Sequence, residues 1–165
     1  MIIIGIDPGY AIVGWGVIEA NAGRFRPIAC GDIRTPAHTD VAQRLQTIHT
    51  ELGRILDKYK PDEMAVEELF FNTNITTGIK VAEARGVILL AAQSRGIRIA
   101  EYTPLQVKQA VVGYGLAEKQ QVIAMVTSIL KLKETPKPDD TADALAIALC
   151  HGQSRGSGLA AYYNQ

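Results

Sequence analysis

The stretch that decides the fold is IIIGIDPGYAIVGWGVIE, residues 2–19. It is apolar up to Asp7, turns at Pro8-Gly9, and then alternates glycines with large apolar residues. Such segments are typical of β-strands, and the short turn between them predicts an antiparallel hairpin. A carboxylate at the end of a buried strand is unusual, because burying a charge is costly unless something compensates it. Asp7 is therefore the first candidate for a functional residue, and Gly5 is expected to leave space behind it.

The composition is that of an ordinary globular protein. A chain of 165 residues fits one domain, and 47% hydrophobic with 21% charged residues argues against disorder. The sequence contains no apolar run of the ~18 residues that a membrane span needs and no signal-peptide pattern at its start, so we expect a cytoplasmic protein without membrane contact. Cys30 and Cys150 lie far apart without CxxC spacing, which favours buried reduced thiols over a disulfide or a metal site.

The charges are unevenly distributed although the net charge is zero. Residues 1–72 carry a net charge of −3, residues 73–133 of +5 and residues 134–165 of −2. This segregation fits an acidic site beside a basic surface that would attract a polyanion, and chance scatter explains it equally well.

The chain reads as alternating strands and helices. A third strand over 25–34 follows the hairpin, with further strands at 63–69 and 96–103 and helices at about 41–59, 77–94, 104–112, 117–131 and 139–150. This order predicts a single α/β domain over residues 1–152, with a mixed five-stranded sheet whose first three strands are antiparallel and helices on both faces. Residues 153–165 are expected to form a flexible tail. The small, apolar faces of helix 77–94 suggest a contact with a second subunit, although packing on the sheet alone explains much of them.

Acidic residues fall at the ends of two strands and on one helix. Asp7 ends the first strand and Glu67 the fourth, and their carboxylates would meet at the carboxyl edge of the sheet if these strands are parallel neighbours. Asp140 and Asp143 share a helix face, although acids in a first turn, such as Asp139 and Asp140, also serve as helix caps. A purely carboxylate set favours Mg²⁺ or Mn²⁺, and a pair of such ions suits phosphodiester hydrolysis.

Five segments together resemble the RuvC-type Holliday junction resolvases, which have the ribonuclease H-like fold. They are GIDPG, VEELFF, EARGV, QVKQAVVGYGLAEKQQV and DDTADALAIAL, in order and at natural spacing through residues 1–150. The resemblance implies that Asp7, Glu67, Asp140 and Asp143 are catalytic and bind two Mg²⁺ ions, for which Mn²⁺ would substitute. It favours Asp140 over Asp139 through the spacing D-x-x-D.

The resemblance also implies a substrate and partners. It indicates a homodimer that cuts four-way junction DNA by paired symmetric nicks during recombination and repair, with a branch-migration complex as a partner. Lys108 and Lys119 match positions that hold DNA phosphates, and both lie in the positively charged segment. The pattern E-x-x-F selects Phe70, rather than Phe71, as a side chain that stacks on or wedges between bases.

Three other functions remain open on the sequence. The first hairpin also resembles the phosphate-binding hairpin of actin-like ATPases, although 165 residues leave no room for their second domain. A junction-binding protein without catalysis and a ribonuclease H that cuts RNA–DNA hybrids are the other two.

Overall fold

The structure is a computed structural model that describes residues 1–68 and 75–156. The strands are β1 (Ile2–Asp7), β2 (Ile12–Asn21), β3 (Arg24–Arg34), β4 (Glu63–Glu67) and β5 (Arg98–Tyr102). The helices are α1 (Val41–Tyr59), α2 (Ile75–Gln93), α3 (Pro104–Val112), α4 (Lys119–Ile129) and α5 (Asp139–Gly156).

The five strands form one mixed sheet in the order β3-β2-β1-β4-β5. The pairs β1–β2 and β2–β3 are antiparallel, whereas β1–β4 and β4–β5 are parallel. The parallel pairs need crossover connections, which α1 and α2 supply. The predicted sheet, with its three antiparallel strands first, is confirmed.

The two faces of the sheet bury different side chains. Large aliphatic residues such as Ile4, Ile6 and Val66 pack against α1 and α2. Ile3 and the small residue Ala65 face the other way, into a cluster with α3, α4 and α5. Because side chains alternate along a strand, the residues at the ends of β1 and β4 inherit this division.

Glycines let α5 lie directly on the hairpin. A Cβ atom at Gly5 would stand 2.0 Å from the carbonyl oxygen of Ala144, and one at Gly14 would stand 2.0 Å from that of Asp140. The expectation that Gly5 leaves space behind Asp7 is therefore wrong. The missing side chain allows the α5 backbone itself to occupy that volume.

Two further expectations need correction. The last helix continues to Gly156, past its predicted end at about residue 150, because buried and half-buried side chains still pack there. Residues 157–165 lie outside the described part of the chain, and the domain boundary at residue 152 stays a prediction. Cys30 is exposed on the edge strand β3, and only Cys150 is buried. Burial raises the pKa of the Cys150 thiol to about 12, so it stays protonated. Within the described part of the chain, no helix is long and apolar enough to cross a membrane.

Candidate active site

Asp7 and Glu67 are brought together by the pairing of β1 and β4. These strands are parallel neighbours, and Ile6 pairs with Val66, so the next residue of each strand lies at the same carboxyl edge. Asp7 follows the alternation of Gly5, and Glu67 that of Ala65, which turns both side chains toward the face that α5 covers. The sequence-based prediction of their placement is therefore confirmed in its geometry.

The start of α5 brings two further acids to this edge. Asp7 pairs across the hairpin with Gly14, and the absence of a side chain at Gly14 admits the backbone of Asp140. Asp143 follows one turn later on the same helix and is half-buried. Thr141, between them, is buried and donates its hydroxyl to the carbonyl oxygen of Gly31 at 3.2 Å, which ties this turn to β3.

The acids raise one another's pKa values. The pKa of Asp7 rises to about 8, first through burial and then through the charges of Glu67, Asp143 and Asp140. The pKa of Glu67 rises to about 7, again through burial first and then through Asp143. Both shifts indicate that nearby positive charges do not fully compensate the ionised carboxylates, so the cluster favours binding a proton or a cation.

Lys119 supplies part of that compensation. Its ammonium lies 3.0 Å from a carboxylate oxygen of Asp143 and 3.6 Å from one of Asp139. The pKa of Asp143 is nevertheless raised, because burial outweighs the hydrogen bond from Lys119. Lys119 is placed as the first residue of α4, where Glu118 and Gln121 form a capping box that fixes the start of the helix.

A small pocket opens beside the acids. It has a volume of about 220 Å³ and lies between α3, α4, α5 and the end of β4. Its charged lining consists of Glu67, Asp143, Lys108 and Lys119. Lys108 lies on α3, which starts at a capping box formed by Thr103 and Gln106. Two lysines and two carboxylates thus border one opening, which suits a phosphate that is held close to a cation.

The donor set suits a hard divalent cation, although the side chains are not arranged around one. Among the described residues, no group of three or more His, Cys, Asp or Glu side chains is positioned to hold a metal ion as it stands. The cluster offers only carboxylate oxygens, which Mg²⁺ and Mn²⁺ prefer, and the raised pKa of Asp7 marks a negative charge without a counterion. Cation binding would therefore require these side chains to rotate toward one another.

The sequence analysis missed the role of Gly14, and its predicted base-contacting residue cannot be placed. Gly14 was read only as part of an alternating strand, whereas it admits the backbone that carries Asp140. Its position directly across the hairpin from Asp7 could have indicated this. Phe70 and its alternative Phe71 lie outside the described residues.

Comparison with known proteins identifies the family. The family model described as crossover junction endodeoxyribonuclease RuvC matches residues 3–151. The chain belongs to the RuvC family. A relative of that name from Heliobacterium modesticaldum is 59% identical over 160 residues, which cover 97% of this chain and 99% of the relative. A relative from Halothermothrix orenii is 56% identical over 93% of each chain.

Solved RuvC structures show the same fold. The Thermus thermophilus RuvC structure is 38% identical, with a TM-score of 0.88 over 96% of this chain and 97% of that one. A structure of T. thermophilus RuvC in complex with Holliday junction substrate is 36% identical with the same TM-score and the same coverage. The predicted family, its ribonuclease H-like fold and the enzyme class of endodeoxyribonuclease are confirmed. Nucleases of the RuvC family are metal-dependent.

Proposed function

We propose that Asp7, Glu67, Asp140 and Asp143 bind two Mg²⁺ ions and form the catalytic site that resolves four-way DNA junctions. Junction resolution is the activity of the RuvC family, and these residues are our assignment of it within this chain. The observation that carries the assignment is that two strand ends and one helix face bring their carboxylates together. The charges of these neighbours, together with burial, raise the pKa of Asp7 to about 8. Asp140 rather than Asp139 is the fourth ligand in this proposal, because the charge of Asp140 acts on Asp7.

The chemistry follows from the donor set. Two divalent cations held by such carboxylates lower the pKa of an attacking water and stabilise charge on the leaving oxygen of a phosphodiester. The chain's own residues position the reaction, since the carboxylates stand on paired strand ends and on a helix whose backbone touches the sheet. We expect Mn²⁺ to substitute for Mg²⁺, because both prefer oxygen ligands.

The DNA-contacting residues in this proposal are Lys108, Lys119 and Phe70. The two lysines border the pocket that contains Glu67 and Asp143, so their charges lie where the scissile phosphate would enter. Exposed apolar side chains lie next to them in the chain, at Leu105 and Leu116, and could cover sugar or base surfaces. Phe70, three residues after Glu67 in the sequence, is proposed to wedge between bases at the junction centre.

A homodimer is the proposed assembly, with α2 at the interface. Ile79 and Leu90 on α2 are 54% and 59% exposed and would be covered by a second subunit at this helix. A two-fold dimer places two identical sites on a substrate with two equivalent strands, and paired symmetric nicks follow from that symmetry. The branch-migration complex as a partner and the cytoplasmic location stay predictions.

The experiment is cleavage of a synthetic four-way junction by the purified protein. With Mg²⁺ we expect paired symmetric nicks, and in Asp7→Asn we expect cleavage to fall on the order of 10³-fold while junction binding in Ca²⁺ persists. An RNA–DNA hybrid in parallel tests the ribonuclease H alternative. Comparison of Asp140→Asn with the matched control Asp139→Asn tests the choice of ligand. Single or asymmetric cuts, or full activity in Asp7→Asn, would contradict the proposal.

A further inference from the structure

A buried polar chain lies at the far end of α5 from the acids. His151 on α5, Glu63 at the start of β4 and Tyr102 at the end of β5 are 3%, 4% and 1% exposed. The Nε2 atom of His151 lies 2.6 Å from a carboxylate oxygen of Glu63, and the Tyr102 hydroxyl lies 2.7 Å from Nδ1. Arg98 and Arg155 contact the same carboxylate at 2.6 and 3.3 Å.

With a neutral imidazole, these contacts fit one arrangement of protons. The Nε2–H of His151 then donates to the Glu63 carboxylate, and the Tyr102 hydroxyl donates to Nδ1. Burial is the main cause that lowers the pKa of His151, and Arg155 and Arg98 add to it against the opposing effect of Glu63. The arginines compensate the charge of Glu63. The chain of hydrogen bonds is thus satisfied from β5 through α5 to β4.

The distance from Glu63 to Glu67 along β4 matches the distance from His151 to Asp143 along α5. Glu63 and Glu67 are four residues apart on one face of β4, a distance of about 13 Å. Asp143 and His151 are eight residues apart on α5, a distance of about 12 Å along the helix. Since α5 runs antiparallel to β4, His151 meets Glu63 at one end of the pair, and Asp143 approaches Glu67 at the other.

Tyr102 also holds the strand end that carries Glu67. It is the register partner of Glu67 in the parallel pair β4–β5, and its carbonyl oxygen accepts the backbone N–H of Glu68 at 2.9 Å. Its side chain at the same time contacts α5 through His151. One residue therefore connects the backbone beside Glu67 to the helix that carries Asp143.

We propose that Glu63, His151 and Tyr102 are positioning residues that set the register of α5 along β4 and thereby the separation of Glu67 and Asp143. A slide or rotation of α5 would break the hydrogen bonds of His151 and displace Asp143 together. The close contacts of the α5 backbone with Gly5 and Gly14 limit the same movement, and the hydrogen bonds of His151 add fixed partners that small side chains such as Ala146 and Ala148 do not supply. This inference rests on the proposed function, because the separation of Glu67 and Asp143 matters only if both residues bind metal.

The test uses electron paramagnetic resonance to measure how tightly Mn²⁺ binds to the protein in the absence of DNA. Tyr102→Phe removes the hydroxyl and keeps the ring, and we expect it to raise the half-saturating Mn²⁺ concentration about tenfold. Junction affinity in Ca²⁺ should change less than about twofold, and cleavage should recover at high Mg²⁺. His151→Leu should shift Mn²⁺ binding at least as far, and adding Tyr102→Phe to it should produce no further shift.

Ile48→Val is the matched control. Ile48 is fully buried on α1 in the cluster of the opposite sheet face, so this variant lowers the unfolding midpoint without touching α5. Equal Mn²⁺ affinity in Tyr102→Phe and Ile48→Val, with both destabilised, would overturn the inference. If Tyr102→Phe fails to fold, His151→Gln, which keeps a donor toward Glu63, carries the same comparison. If the wild-type protein cuts junctions and binds Mn²⁺, the proposed function holds whichever way the variants behave. If the wild-type protein neither cuts junctions nor binds Mn²⁺, the proposed function and this inference are both overturned.

Discussion

Glu63 and Glu67 stand on the same strand and the same face, four residues apart, and their environments are opposite. Glu63 is buried and contacts His151, Arg98 and Arg155. Glu67 is half-buried, and its pKa rises to about 7 through burial and the charge of Asp143. We call the first region the paired end of the β4–α5 unit and the second its acidic end.

The comparison shows that one helix stabilises the fold at one end and strains it at the other. At the paired end His151, Arg98 and Arg155 contact the Glu63 carboxylate and compensate its charge. At the acidic end Asp7, Asp140 and Asp143 lie near Glu67, Lys119 contacts Asp143, and the charges of Lys108 and Lys119 offset the rise in the pKa of Glu67 only in part. Functional sites often carry such unfavourable interactions, which a ligand relieves and the rest of the fold offsets.

The largest loss of stability is expected at the contact between α5 and β1, on which both ends depend. Gly5 lies under Ala144, between the two ends, and a side chain there would overlap the helix backbone. Gly5→Val should therefore lift α5 from the sheet and lower the free energy of unfolding by about 4 kcal/mol or more. Urea unfolding followed by circular dichroism measures this. A variant of wild-type stability that still cuts junctions would show that α5 need not touch β1.

The next prediction is that matched substitutions at the two ends change the free energy of unfolding in opposite directions. Glu63→Gln removes the charge of a buried carboxylate that accepts from His151 and contacts Arg98 and Arg155, and should lower the free energy of unfolding by about 2 kcal/mol. Glu67→Gln removes a poorly compensated charge and should raise it by about 1 kcal/mol at pH 8 without metal. The two variants are matched in chemistry, strand and face, so urea unfolding in EDTA compares them directly. The same sign for both would contradict the contrast between the ends.

The acidic end was predictable from the sequence, whereas the paired end was not. Asp7 and Glu67 stop apolar strands, and strand alternation places both on one face, so local pattern sufficed together with the family motifs. His151 has no metal-ligand spacing in the sequence, so no local pattern marks it. Its partners Glu63 and Tyr102 come from two other strands, and only the β4–β5 register and the packing of α5 join them.

The predicted end of the last helix, at about residue 150, was wrong for a related reason. Beyond His151 the sequence becomes polar and rich in glycine, which is typical of a frayed tail. The helix persists because Gly152 fits against Phe25, and the buried Ser154 donates to the carbonyl oxygen of Cys150 at 2.9 Å. Tertiary contacts of this kind override local propensity, and no sequence pattern displays them.

The acidic end should also make stability depend on pH. The pKa of Asp7 is about 8 in the folded protein and ordinarily 3.8, so between these limits the folded state holds a proton that the unfolded state has lost. Stability without metal therefore falls as pH rises from about 4 to about 8. Asp7→Asn should flatten this slope and be more stable at pH 8 by about 1–2 kcal/mol. Thermal unfolding in EDTA across this range measures it, and parallel curves for both proteins would contradict the assignment to Asp7.

The smallest effect on stability is expected for Lys119, whose role at the acidic end is to meet DNA. Its side chain is half exposed, so Lys119→Met should change the free energy of unfolding by only about 0.5 kcal/mol despite the contact with Asp143. If Lys119 holds a phosphate, the same variant should weaken junction binding and reduce the slope of log affinity against log salt by about one. Lys133→Met, at an exposed lysine outside the pocket, is the matched control and should leave that slope unchanged. Equal slopes in the two variants would restrict Lys119 to neutralising Asp143, and Lys108 would then be the lysine of this pocket left to hold a phosphate.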